Sequence, residues 1–230
     1  MSAASPAEAV VATARALDAA GLMPNKSGNV SVRTAHGFLI TPAAVPYRDL
    51  VAGSLVEVPE NGDKNGDTPI FGTEDSSTRK IGVSPFTPSS EWRMHAAIYR
   101  AYGEVGAIVH THSPRATALA CAGLGIPPFH YMIALAGGEV RCVPYATFGT
   151  AELAARAVEG LAGRRATLLA NHGVIATGPS LAVAHAVALE VENLAGQYLA
   201  LRAAGLEPRL LDAAELERVL GKFAGYGRLG

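Results

Sequence analysis

The chain has 230 residues, 49% of them apolar and 17% charged, and its formal net charge is -1. That composition excludes a disordered chain, and the length is enough to bury a core as one domain or a compact pair. A balance so near zero lacks the basic excess that a nucleic-acid or anionic-membrane partner calls for, so any anion must be held by local geometry.

The first segment opens on Ser5, Pro6 and Glu8, a capping box with proline in the first helical turn, and Gly21 ends that helix. It lacks the basic region and long apolar run of a signal peptide. Later apolar stretches are interrupted by Pro127, Pro128 and His130, or by His185, Glu190 and Glu192. None reaches the roughly 20 residues of a membrane span, so a soluble, cytoplasmic protein is expected. Two short strands are expected at 29–32 and 38–41, joined by a turn at Ala35, His36 and Gly37. Ahead of them, Asn25-Lys26-Ser27-Gly28-Asn29 is either an anion cradle, where glycine lets backbone N–H groups approach a ligand, or an ordinary polar loop.

Residues 59–86 are rich in Gly, Asp, Asn, Ser and Thr and read as a long polar loop, whether lid, binding segment or simply mobile. A helix follows from Ser89, then an apolar strand ending at His110 and His112. Ser113 and Pro114 restart a helix, with the serine as cap, that runs to about Ala122. Residues 127–163 supply two short strands, a turn and a helix capped by Thr150. A buried strand at 165–171 is closed by His172 and Gly173, and helices follow at 180–204 and 213–223. Strands interleaved with helices predict a single α/β domain, a three-layer α/β/α sandwich whose sheet is parallel or mixed. Cys121 and Cys142 stand in apolar surroundings without metal-ligand spacing and read as two reduced core thiols.

Side chains alternate across a strand, so Ile108, His110 and His112 leave one face while Val105, Ala107 and Val109 leave the other. Two residues along a strand put α-carbons roughly 6.5–7 Å apart, a gap that two imidazoles close by converging on one ion at about 2.0–2.1 Å. His172, also at a strand end beside a glycine, is the candidate third ligand. His36, His95, His130 and His185 sit in a turn, in helices or in an apolar run and read as structural. An imidazole triad favours zinc, with iron, cobalt and manganese left open. Glu91, placed in the first turn of its helix, is a base beside a Lewis acid. Ser89 and Ser90 before it offer hydroxyls and free N–H groups to a phosphate, or simply cap the helix.

The motifs SGNVSV at 27–32, LITP at 39–42, PSSEW at 88–92, HTH at 110–112, HYMIALAGG at 130–138, PYATFGTAEL at 144–153 and ATLLANHG at 166–173 together resemble the class II aldolase/adducin family. Its L-fuculose-phosphate aldolase branch is the most similar. The resemblance implies a central mixed sheet, zinc held by His110, His112 and His172, and Glu91 as the carboxylate that shares the metal and acts as acid/base. It also implies substrate phosphate held along Gly28, Asn29, Thr41, Ser89 and Ser90. Tyr131 would reach a neighbouring subunit's site to protonate the aldehyde oxygen, and Tyr226 would lie near the same cleft. The implied assembly is a homotetramer with active sites between subunits. The implied reaction is retro-aldol cleavage of a ketose 1-phosphate, L-fuculose 1-phosphate-like, to dihydroxyacetone phosphate and an aldehyde such as lactaldehyde.

Two departures stand out from the aldolase pattern. Ala44 replaces a glycine after the TP pair, where a methyl would crowd a phosphate, and Lys26 replaces a small polar residue, adding a charge. Same-fold alternatives are pentulose-phosphate 4-epimerases, which resemble Ser-Ser-Asp where this chain has Ser-Ser-Glu, and sugar-acid-phosphate decarboxylases. A non-enzymatic adducin-like binding module is the alternative from another class.

Overall fold

The computed structural model describes residues 4–59 and 86–226, with side chains as far as 223. The expected polar loop at 59–86 therefore lies almost wholly outside the described residues. The elements in chain order are α1 (Pro6–Ala19), β1 (Gly28–Arg33), β2 (Gly37–Ile40), β3 (Val56–Pro59), α2 (Trp92–Ala101), β4 (Ala107–Thr111), α3 (Pro114–Cys121), β5 (Arg141–Val143), α4 (Ala151–Leu161), β6 (Ala166–Leu169), β7 (Gly173–Gly178), α5 (Leu181–Ala203) and α6 (Ala213–Tyr226).

Side-chain caps start α1, α4 and α5. Ser5 accepts from Glu8 N while Glu8 accepts from Ser5 N, completing the capping box of α1. Thr150 caps α4 and Ser180 caps α5 through their hydroxyls. The seven strands form one sheet in the order β3-β2-β1-β4-β7-β6-β5. Every pair is antiparallel except β5 with β6, so the sheet is mixed. Strand alternation sends Val30, Ala107 and Val109 to one face, where they pack with Leu17, Leu119, Val187 and Leu194 of α1, α3 and α5. Ile108 and Ile175 go to the other face, against Trp92, Ile98 and Leu153 of α2 and α4. Each fully buried leucine of this kind, such as Leu194 at 0% exposure, contributes about 1.5–3 kcal/mol of hydrophobic stabilisation. The three-layer sandwich results, and His110, two residues beyond Ile108, is carried to the α2 face.

Several local expectations need correction. β7 immediately follows His172, where no strand was expected. Of the two strands expected between Pro127 and the Thr150 cap, only β5 forms; residues Tyr131–Ala136 make a 3₁₀ helix, opened by His130 accepting from Met132 N and closed by Gly137 at φ 81°. Val105 precedes β4 and packs with the α2 face rather than with Ala107. Neither cysteine is a core thiol, since Cys121 is exposed and Cys142 half-buried, and both are free.

Ser113 makes no side-chain cap at α3. The buried carboxylate of Glu192, from α5, accepts instead from Arg115 N at 3.0 Å and Ala116 N at 2.9 Å. A charged acceptor supplied from another helix ties α3 to α5 as well as ending the orphan donors. Glu192→Ala leaves the buried Ala116 N–H and the part-buried Arg115 N–H unpaired, and urea unfolding is expected to read a loss of about 1–3 kcal/mol.

Candidate metal centre

Three segments meet at the cluster. β4 supplies His110 and, one residue past its end, His112; the β6–β7 turn supplies His172; the turn before α2 supplies Glu91. His110 Nε2 lies 3.0 Å from His112 Nε2 and 3.0 Å from Glu91 Oε2, and His172 Nε2 lies 3.0 Å from Glu91 Oε1. One ligand atom from each of the four residues falls within 4.8 Å of all the others. Atoms bound at about 2.0–2.1 Å around a common ion stand at such separations.

Gly173 makes the approach possible. A β-carbon there would lie 2.4 Å from Thr111 O and 2.7 Å from His112 Cδ2, so a side chain would push β7 off the histidine strand. Gly28 does the same for β1: at φ 112° it lets the backbone pass where a β-carbon would meet His110 O at 2.6 Å. Register then places Asn29 directly beside His110.

Glu91 stands one residue before α2 rather than in its first turn, and its side chain makes no cap. The carboxylate turns inward because β1 and β4 present better partners. Burial opposes its ionisation, but the neighbouring imidazoles of His110 and His172 outweigh burial and hold the carboxyl well below the usual carboxylate range. Burial likewise disfavours a charged His110, yet the Glu91 carboxylate raises it above the ordinary histidine value. His112 is pushed down to about 3 by burial and by its two imidazole neighbours, so its lone pair is free at neutral pH. His110 Nδ1 is 2.8 Å from Val174 O and donates to it, which turns Nε2 toward the cluster.

The residues present fit a divalent cation. Glu91 Oε1 is buried with no aligned hydrogen-bond donor, although His172 Nε2 is close by. A carboxylate gathered with three imidazole nitrogens is the donor set of a borderline-soft metal.

A cleft of about 440 Å³ opens over the cluster. Gly28, Asn29, Ser89, Ser90, Glu91, His112 and His172 line it, with Lys26, Ala44, Tyr145, Phe148 and Asn171. Lys26, Ala44 and Asn171 adopt left-handed backbone at φ 62°, 62° and 54°, so Ala44 keeps the conformation a glycine serves at that place. His110 is fully buried beneath the floor. Thr41 does not line the cleft: it is buried and its hydroxyl accepts from Val30 N, while Pro42, Ala43 and Ala44 beyond it reach the rim. Tyr131 is also away from the cleft, 54% exposed beside His130 and Phe223. Tyr226 is the last residue of α6, and its side chain lies outside the described part. The sequence reading passed over Tyr145, Phe148 and Asn171 in the rim, and assigned His95 to structure alone. His95 bonds to Asn29, which in turn bonds to Glu91. The signal was its spacing, four residues after Glu91 and so over the same helical face.

Fold and cluster together define a mixed-sheet α/β protein built around a divalent-cation site. A family model described as Class II Aldolase and Adducin N-terminal domain matches residues 8–199. The chain is 45% identical over 220 residues to the 5-methylthioribulose-1-phosphate/5-deoxyribulose-1-phosphate aldolase of Rhodospirillum rubrum, covering 95% of this chain and 90% of that one. It is 39% identical over 222 residues to the L-fuculose phosphate aldolase of Escherichia coli, covering 96% and 95%. A solved L-fuculose 1-phosphate aldolase superposes with a TM-score of 0.85 at 33% identity over 97% of this chain and 98% of that one. The chain belongs to the class II aldolase/adducin family and is a class II aldolase, a metal-dependent carbon–carbon lyase.

Proposed function

We propose that the protein cleaves a ketose 1-phosphate between C3 and C4, giving dihydroxyacetone phosphate and an aldehyde. The observation that carries this reading is the convergence of three imidazoles and one carboxylate, with an unpartnered Oε1, under a cleft whose rim is rich in small polar donors. A divalent cation held by His110, His112, His172 and Glu91, zinc by the donor set, supplies Lewis-acid stabilisation of the negative charge that gathers on the substrate's carbonyl oxygen as the bond breaks. Gly28, Ser89 and Ser90 bind and orient the phosphorylated end through backbone N–H and hydroxyl donors, and Asn29 holds the Ser89 hydroxyl oxygen in place beside them. In cleavage the C4 hydroxyl loses its proton, the C3–C4 pair passes to C3, and C3 takes up a proton. Glu91 Oε1 is the carrier of that proton. Tyr131, exposed and away from its own cleft, serves the C4 oxygen in a neighbouring copy of a homotetramer.

Tyr145 and Phe148, 57% and 66% exposed, give the cleft an apolar end. That surface suits a substrate whose C5 carries hydrogen or a thioether, as in the substrates named for the Rhodospirillum rubrum relative, rather than the C5 hydroxyl of L-fuculose 1-phosphate. A five-carbon 5-deoxy ketose 1-phosphate is therefore favoured, with acetaldehyde as second product, over L-fuculose 1-phosphate with lactaldehyde. A screen of ketose 1-phosphates with added zinc, read by dihydroxyacetone phosphate release, is expected to rank 5-deoxyribulose and 5-methylthioribulose 1-phosphates above L-fuculose 1-phosphate. Release from none of the three would end the lyase proposal for this substrate class.

A further inference from the structure

Behind the cleft floor a line of buried hydrogen bonds joins α2 to the cluster through β1. Tyr99 Oη lies 2.8 Å from Ser31 Oγ, Ser31 Oγ lies 2.7 Å from His95 Nδ1, and His95 Nε2 lies 2.5 Å from Asn29 Oδ1. Asn29 Nδ2 then donates to Glu91 Oε2 at 3.0 Å and to Ser89 Oγ at 2.9 Å. Asn29, Ser31 and His95 are all at most 2% exposed, so no solvent competes.

One order of donors satisfies the line. The Asn29 carbonyl oxygen accepts only, so His95 Nε2 carries hydrogen. Burial, with His110 adding to it, pushes His95 down to about 3, leaving it neutral with its lone pair on Nδ1. Ser31 must donate to that lone pair, and Tyr99 must donate to Ser31. Turning the Asn29 amide over would set a carbonyl oxygen against Glu91 Oε2 and an N–H against the Nε2–H of His95.

We infer that His95 is a positioning residue: by donating Nε2–H to Asn29 it locks that amide toward Glu91 Oε2 and leaves Oε1 as the oxygen that exchanges a proton with the substrate. The proton exchange rests on the lyase reading; the locked amide and the tautomer do not.

The test uses the zinc-loaded enzyme and three variants. His95→Leu is expected to lower kcat about 10- to 100-fold with KM and bound metal unchanged. His95→Gln, whose amide N–H replaces the imidazole Nε2–H, is expected to recover most of that rate. Nitrogen-15 NMR of the metal-free wild-type protein is expected to find the His95 ring neutral and protonated on Nε2 at pH 6. A His95→Leu enzyme with wild-type kcat overturns the inference, as does a Gln variant no faster than Leu, or a ring protonated on Nδ1. Should His95→Leu fail to fold, Ser31→Ala carries the same reading: a lower kcat at constant KM supports it and a wild-type kcat overturns it. If no ketose 1-phosphate is cleaved at all, the lyase proposal fails while the NMR experiment still decides the tautomer.

Discussion

His110→Ala is expected to abolish metal binding and carbon–carbon cleavage together. The ring is fully buried, its Nδ1 is committed to Val174 O, and its Nε2 stands 3.0 Å from both His112 Nε2 and Glu91 Oε2. Removing it deletes one of three imidazole donors and opens a cavity between the other ligands. The remaining His112, His172 and Glu91 would lose their common centre, so metal analysis should find no stoichiometric ion and the ketose screen should fall to background. Full activity in a folded His110→Ala protein would contradict the proposed centre.

The same residue predicts how binding depends on pH. In the metal-free protein Glu91 raises His110 and is itself lowered by its imidazole neighbours. The raised histidine contributes stability fully below its ordinary pKa and loses it as pH rises through the raised value. The lowered carboxylate contributes above its ordinary pKa and loses it as pH falls through the depressed value. Between these limits the ion pair is intact, and a metal that enters there must displace the His110 proton. Calorimetry in two buffers of different ionisation heat should therefore report about one proton released per ion, with affinity weakening as the solution is acidified. Release of no proton just above the ordinary histidine pKa, where the raised group still holds its proton, would refute the assignment.

Glu91→Gln is expected to keep the metal but slow turnover by about 10²–10⁴, the usual cost of losing a positioned acid/base. The amide preserves the shape of the side chain and a carbonyl oxygen toward the cluster, while the charge and the proton-carrying oxygen are gone. Metal analysis separates the two effects: an ion-free Glu91→Gln protein would make the carboxylate chiefly a ligand, and a rate within tenfold of wild type would remove it from proton transfer.

Much of this architecture is written in local patterns. Capping at Ser5, Thr150 and Ser180, the two-residue alternation that sends His110 and Ile108 to one face, and the glycine after His172 each act through neighbours in the chain. Ordered motifs carried the family and pointed to the four residues that the fold gathers, because ligands for one ion demand particular side chains at particular strand ends. Local patterns go no further. Glu192 replaces Ser113 as the cap of α3, Thr41 spends its hydroxyl on Val30, and Glu91 turns inward from the helix it precedes.

The sequence by itself therefore determined the alternation of helices and strands, the identity of the three imidazoles and the class of chemistry. Only the tertiary structure decided which oxygen of Glu91 is left unpartnered, that His95 reaches Asn29, and that Tyr131 stands away from its own cleft. The division has a physical cause: a cap or a strand face is set by residues within a few positions, whereas the partner of a buried polar atom comes from whichever distant segment packing brings within about 3 Å.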